Sequence, residues 1–207
     1  MTTQIVLVRH GQTEWDRVER FRGRADVPLN QVGLAQAEAA GRRIAAEWQP
    51  TAVYSSPLPR AVQTAEAIAW PLNLPVEIAP GLVDIDYGQW QGLTLDEVRQ
   101  QWPRVIEGWY HAPHLARIPG GEGLAFLRAR AMGFVREMAA QHKGQTIVMV
   151  GHTVVNGVIL SGVLDMHDGH FWRLRQDNGA ISALEIEVPR FAVMLLNDTS
   201  HLKTDRS

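Results

Sequence analysis

The chain has 207 residues, 45 % of them apolar and 20 % charged, which excludes a disordered or fibrous protein and fits one substantial globular α/β domain better than two. A formal net charge of -2 excludes a global basic field, so nucleic acid is not an expected partner and an anionic ligand must be held by locally placed arginines. With no cysteine there is no disulfide, thiolate nucleophile or sulfur metal site, and no apolar run approaches the ~18 residues of a membrane span.

Gln4 to Val8 form an apolar run that meets Arg9-His10-Gly11 and opens into polar Gln12-Thr13-Glu14. This pattern predicts a buried parallel strand whose carboxyl end delivers a guanidinium and an imidazole, at the edge where open α/β sheets bind ligands. A neutral histidine can attack phosphorus, and an adjacent arginine offers a planar fork to phosphate oxygens, so the pair points to phosphoryl transfer through His10. Arg9 also interrupts the apolar run too early for a secretory h-region, and the expected location is cytoplasmic, without membrane association.

Gln12 to Asn30 reads as a polar, arginine-rich loop, and Gly33 to Trp48 as an amphipathic helix with Leu34, Ala37, Gly41, Ile44 and Ala45 at helical spacing. Thr51 to Tyr54 is a short strand ending in Ser55-Ser56-Pro57, followed by a helix from Leu58 to Trp70 that Pro71 stops. Pro75 to Ile78 is a third strand, Gly81 to Gly92 a loop, and Thr94-x-x-Glu97 a capping box that opens the next helix. Residues 103 to 123, rich in proline and glycine, are expected to form a loop or lid. Glu122 to Gln141 is a long helix, and Gln145 to Val150 a buried strand that ends at Gly151-His152-Thr153 and runs into an apolar helix, Val154 to Leu164. Ala180 to Val188 and Phe191 to Leu196 pair as a hairpin around Pro189, and Asn197 to Ser207 are expected to fray.

Three strand ends thus supply Arg9-His10, the Ser55 to Arg60 turn and Gly151-His152. LVRHGQTEW (residues 7–15), SSPLPRAVQTA (55–65), DIDYGQWQG (84–92) and VMVGHT (148–153), in this order, resemble the histidine phosphatase superfamily, in its phosphoglycerate mutase-like branch. That branch includes α-ribazole phosphatases, sugar-phosphoglycerate phosphatases and broad-specificity phosphatases. The resemblance spans Ile5 to about Glu187. It implies a three-layer α/β/α sandwich with a mainly parallel central sheet, formed as a single domain over residues 1–207 with a cap or lid around 84–123.

The resemblance also implies roles. His10 matches the histidine that becomes phosphorylated, Arg9 and Arg60 the arginines that hold the phosphoryl oxygens, and His152 the second histidine of the pocket. Positioning and electrostatic stabilisation by such groups can suffice for phosphoryl transfer, so arginines and an imidazolium would make a metal or other cofactor unnecessary. Gln12 and Thr13, in the loop after the nucleophile, and Thr153, beside His152, are counted as substrate-binding. Ser55 and Ser56 are either helix-capping residues or ligand contacts. The proton donor of the family is usually a glutamate in Leu-x-Glu ahead of Gly-x-Trp-x-Gly; here Leu82-Val83-Asp84 precedes Gly88, Trp90 and Gly92, so the carboxyl is shorter by about 1.5 Å. Asp84 is the candidate acid and Asp86 its rival.

Asp16 stands where many relatives carry asparagine; an ionised carboxylate cannot donate to phosphate, and a pairing with Arg17, Arg20 or Arg22 is expected. Arg20, Arg22 and Arg24 either face the entrance or form a solvated basic loop. His111, His114, His167 and His170 read as surface or lid residues rather than metal ligands. Trp102, Trp109, Tyr110 and Phe126 read mostly as core of the cap, and Trp172 to Asn178 matches a segment of phosphatase-type relatives with no role assigned. The expected activity is phosphomonoester hydrolysis on a small phosphorylated metabolite through a phosphohistidine. The alternatives are a phosphoglycerate mutase that returns the phosphoryl group to glycerate, or a weakly catalytic phospho-ligand-binding regulator. A homodimer through a sheet edge or helices is compatible with the pattern.

Overall fold

The computed structural model describes residues 1–202. The apolar run at the amino terminus becomes β1 (Thr3–Arg9), whose residues are buried on both faces, which is why the sequence shows a continuous rather than an alternating pattern. β1 lies between β4 (Thr146–Gly151), parallel to it, and β5 (Ile181–Glu187), antiparallel. On the far side of β4, β2 (Ala52–Ser55) and β3 (Val76–Ile78) continue the sheet in parallel. β6 (Arg190–Asp198) closes the other edge as the second arm of the carboxyl-terminal hairpin. The order β3-β2-β4-β1-β5-β6 gives the mainly parallel sheet the resemblance implied.

Successive side chains of a strand point to opposite faces, and the two faces carry different helices. Val6, Val8, Val53, Val148 and Val150 pack with Ala40 and Ile44 of α2 (Gln31–Glu47) and with Ala61, Ala65 and Ile68 of α3 (Pro59–Ala69). Ile5, Leu7, Ile147 and Met149 pack with Leu127, Ala131 and Val135 of α6 (Leu124–Gln141) and with Val155, Val158 and Ile159 of α7 (Thr153–Val163). Each fully buried Val, Leu, Ile or Met among these contributes about 1.5–3 kcal/mol, so the layers hold the sheet from both sides. Because β1, β2 and β4 run in parallel with Arg9 opposite Gly151 and Ser55 opposite Val150, their three carboxyl ends share one edge.

Three segments differ from expectation. The predicted loop after β1 contains a short helix, α1 (Glu14–Arg17), set by Asp16, whose carboxylate accepts both the N–H and the hydroxyl of Thr13 at 2.7 Å. The predicted loop at 103–123 begins with a helix, α5 (Pro103–His111), that follows the expected capped helix α4 (Leu95–Gln101). Proline at the first helical position loses no hydrogen bond, and Ile106 and Trp109 bury the inner face of α5. Asn197 and Asp198 do not fray: Arg43 donates to Asp198 at 2.8 Å and Asn197 to Asp177 at 2.9 Å, and Ser200–Leu202 form a 3-10 turn. The rest of that predicted tail, residues 203–207, lies outside the described residues. Among the described residues no helix is long and apolar enough to cross a membrane.

Candidate active site

His10 follows the last residue of β1, and its Nδ1 lies 2.6 Å from the carbonyl oxygen of Gly11. A carbonyl can only accept, so Nδ1 carries the proton and Nε2 keeps its lone pair. Nε2 is buried with no hydrogen-bond partner among the described residues. Burial first, then the nearby charges of Arg60, His152 and Arg9, hold this imidazole well below the usual histidine pKa of 6.5. The result is a neutral imidazole with a fixed tautomer and an unshared lone pair on Nε2.

His152 stands at the N-cap of α7, its ring centroid 5.1 Å from that of His10. Its Nε2 lies 2.7 Å from Ser56 Oγ. Burial and Arg60 hold it well below 6.5 as well. Without an anion the surroundings thus favour its neutral form, and an incoming phosphoryl dianion would push its pKa back up, toward the imidazolium expected from sequence. Ser56 Oγ is the partner of His152 and accepts from the Leu58 N–H at 3.4 Å, and Ser55 Oγ donates to the Ser56 carbonyl at 2.8 Å; the N-cap of α3 is Leu58 rather than either serine.

Arg60, in the first turn of α3, is fully buried and donates to the carbonyls of Ala25 and Gly23 at 2.9 and 2.7 Å and to Asp84 Oδ2 at 3.3 Å. Arg9 donates to the Gln176 carbonyl at 2.6 Å and to Asp16 at 2.7 Å. Burial brings its pKa down to about 10, still far above neutrality. Asp84 is 4 % exposed and its Oδ2 lies 3.8 Å from His152 Nδ1. Burial raises its pKa, opposed by Arg60 and Arg22 and by the Ile85 N–H on Oδ1. Asp86 points elsewhere: it accepts from Gly88 N at 2.8 Å and lines a separate cavity with Arg24, Glu122 and Phe126.

Within the protein, Thr13 spends both its donors and Gln12 only part of its polar groups. The Gln12 N–H donates to Gln36 and its Oε1 accepts from Asn30, at 2.8 and 2.9 Å, while both donors of Thr13 go to Asp16. Both brace the loop, and the Nε2 amide of Gln12 keeps its donors without a partner among the described residues. Thr153 does line the cavity, as the first residue of α7. That cavity, about 460 Å³, is bounded by Arg9, Arg22 and Asp84 at its polar end and by Trp15, Phe21, Tyr87, Tyr110 and Trp172 at its aromatic end. Trp15, the last residue of the first motif, and Trp172, the first of the segment without an assigned role, were not placed at the site from sequence, because both lie outside periodic segments where side-chain direction is readable. Trp109 is core, as expected, and Phe126 is exposed. His111 pairs with Glu107, His114 meets His167 edge to face, and the described residues hold no metal-binding cluster of three or more histidines and carboxylates.

Nε of Arg9, Arg22 and Arg60, Nε2 of His10 and Nδ1 of His152 are all buried without a hydrogen-bond partner among the described residues. Such orphans are rare in folded proteins; the three guanidinium Nε–H groups offer a cradle of donors to an oxyanion, with the lone pair of His10 Nε2 in the same site. Comparison with known proteins agrees with this chemistry. Residues 5–199 match the model of the histidine phosphatase superfamily, branch 1. The chain is 35 % identical to phosphoserine phosphatase 1 of Hydrogenobacter thermophilus, over 96 % of this chain and 94 % of that one. It is 32 % identical to the metal-independent phosphoserine phosphatase of Arabidopsis thaliana, over 98 % and 84 %. The solved structure of Bacillus stearothermophilus YhfR superposes with a TM-score of 0.93 at 31 % identity, covering 97 % of this chain and all of that one.

Proposed function

The chain belongs to the histidine phosphatase superfamily, branch 1, and is a phosphatase; from that premise we propose that it hydrolyses a small phosphomonoester through a phosphohistidine on His10. The observation that carries the reading is the 2.6 Å contact of His10 Nδ1 with the Gly11 carbonyl, which aims an unprotonated Nε2 into the cradle. Nε2 attacks phosphorus in line, the P–O bond to the leaving alkoxide breaks, and the protonated Asp84 carboxyl delivers its proton to that oxygen. Arg9, Arg60 and His152 hold the equatorial oxygens as charge spreads over them. Water then attacks phospho-His10, Asp84 takes its proton, and inorganic phosphate and the free imidazole are restored.

The names of the two relatives support phosphoserine as the first substrate to test, and a cavity of about 460 Å³ accommodates an ester of that size. We take residues 1–207 as a single domain capped by 84–123, working in the cytoplasm, with a homodimer as the assembly to test by sedimentation. A panel of phosphoserine, phosphoglycerates, sugar phosphates and α-ribazole phosphate, read by phosphate release, tests the activity. Turnover on at least one ester with no conversion of 3-phosphoglycerate to 2-phosphoglycerate supports it. Interconversion without phosphate release would make the enzyme a mutase, and tight ester binding without turnover a phospho-ligand regulator.

A further inference from the structure

We propose that Arg22 is a third guanidinium ligand of the phosphoryl group and that Asp16 is its bracket, the two forming one charge-balanced unit; the inference rests on the His10 reading above. Phe21, packed 5.0 Å from Tyr87 and 5.3 Å from Trp90 between ring centroids, anchors the loop so that the next side chain turns inward, and that side chain is only 14 % exposed. Asp16 Oδ1 receives Arg22 Nη1 at 2.6 Å, Arg9 Nη2 at 2.7 Å and Asn178 Nδ2 at 3.3 Å. Its other oxygen is taken by Thr13. Asp16 is thus saturated by the protein, and as an acceptor it has nothing to offer a phosphate. It acts by positioning.

Two guanidiniums on one carboxylate oxygen would repel each other without the anion between them. With it, Arg9 and Arg22 stand side by side on the wall shared with Asp84 and Thr153, and both keep a buried Nε without a partner among the described residues. With both imidazoles neutral and Asp84 protonated, the three arginines (9, 22 and 60) and Asp16 leave two net positive charges. Removing Arg22 alone leaves one. Removing the Asp16 charge alone leaves three positive charges and frees two arginines to move apart. Removing both restores two positive charges, on Arg9 and Arg60, and the amide introduced by D16N can donate a hydrogen bond that the carboxylate could not.

The test is a double-mutant cycle in the full chain, with orthovanadate as the probe: its affinity by calorimetry, and its inhibition of p-nitrophenyl phosphate hydrolysis. R22Q and D16N should each weaken vanadate binding by about 10- to 100-fold, the span of a lost charge-assisted hydrogen bond. D16N introduced into R22Q should improve binding again, to within about 10-fold of the parent. A loop-stiffening role for Arg22 predicts the opposite, a double variant at least as weak as either single one. R22K keeps the charge without the fork and should lose at least about 5-fold; it decides the matter if R22Q does not fold. Parent-like vanadate affinity in the folded R22Q or R22K protein, or a double variant that loses the product of the single effects, overturns the proposal. Calorimetry reads the cycle even if the parent turns over no ester, so failure of the His10 reading and failure of the Arg22 assignment remain distinguishable.

Discussion

Asp84 carries the strongest chemical demand in the site, since it must hold a proton at a pH where a solvated aspartate does not. Burial supplies the upward shift and also holds His10 unprotonated below the usual range. The signs fix the pH profile: kcat/KM falls as pH drops through the depressed pKa of His10 and falls again as pH rises through the raised pKa of Asp84. The optimum therefore lies between these two limbs, and D84N should abolish the alkaline one. The same variant should lower kcat on an alkyl phosphate by about 10²- to 10⁴-fold while barely affecting formation of the phosphoenzyme from p-nitrophenyl phosphate, whose leaving group needs no proton. An equal loss on both esters would remove Asp84 from the acid role. The placement of His10, Arg9, Arg60 and His152 at one edge was legible because each sits at a strand end or a helix start. Arg22 was not, because an irregular loop gives no period from which to read direction, and its residue type fits an entrance or a solvated face equally well.

Among the elements, the approach of α2 to the loop after β1 limits what the sequence can change. A Cβ at Gly33 would lie 2.1 Å from the Gln12 carbonyl oxygen and one at Gly11 would lie 2.3 Å from the Gly33 carbonyl oxygen, both backbone atoms. G33A must push the helix and the loop apart; it should cost about 1–3 kcal/mol in denaturant unfolding and raise KM, because Gln12 and Thr13 brace the segment that carries His10. Unchanged KM in a destabilised G33A would show that the brace does not reach the nucleophile. The strands and α2, α3, α6 and α7 were readable from apolar period. α5 was hidden because proline and glycine read as breakers, whereas Pro103 occupies the one turn that tolerates it and a Cβ at Gly108 would meet no atom within 4 Å.

At the level of the whole molecule, sequence order delivers three strand ends but not their adjacency; the β2-β4-β1 pairing is what places Arg60, His152 and His10 together. Burying two neutral imidazoles has a thermodynamic consequence. Unfolding exposes them to protonation at their ordinary pKa of 6.5, so stability is lost as pH falls below that value. Asp84 works in the opposite sense, its cost entering as pH rises above 3.8. Scanning calorimetry between about pH 7 and 5 should show a falling Tm that flattens in H152N, and an unaltered slope in that variant would contradict the assignment of a buried neutral imidazole. The central claim is that the fold exists to present His10 Nε2 to phosphorus, and trapping the intermediate tests it most directly. Brief exposure to a 32P-labelled substrate followed by an alkaline quench should leave label on His10 that chases into inorganic phosphate at the turnover rate and is absent from H10A; undiminished labelling of H10A, or label on another residue, would contradict it.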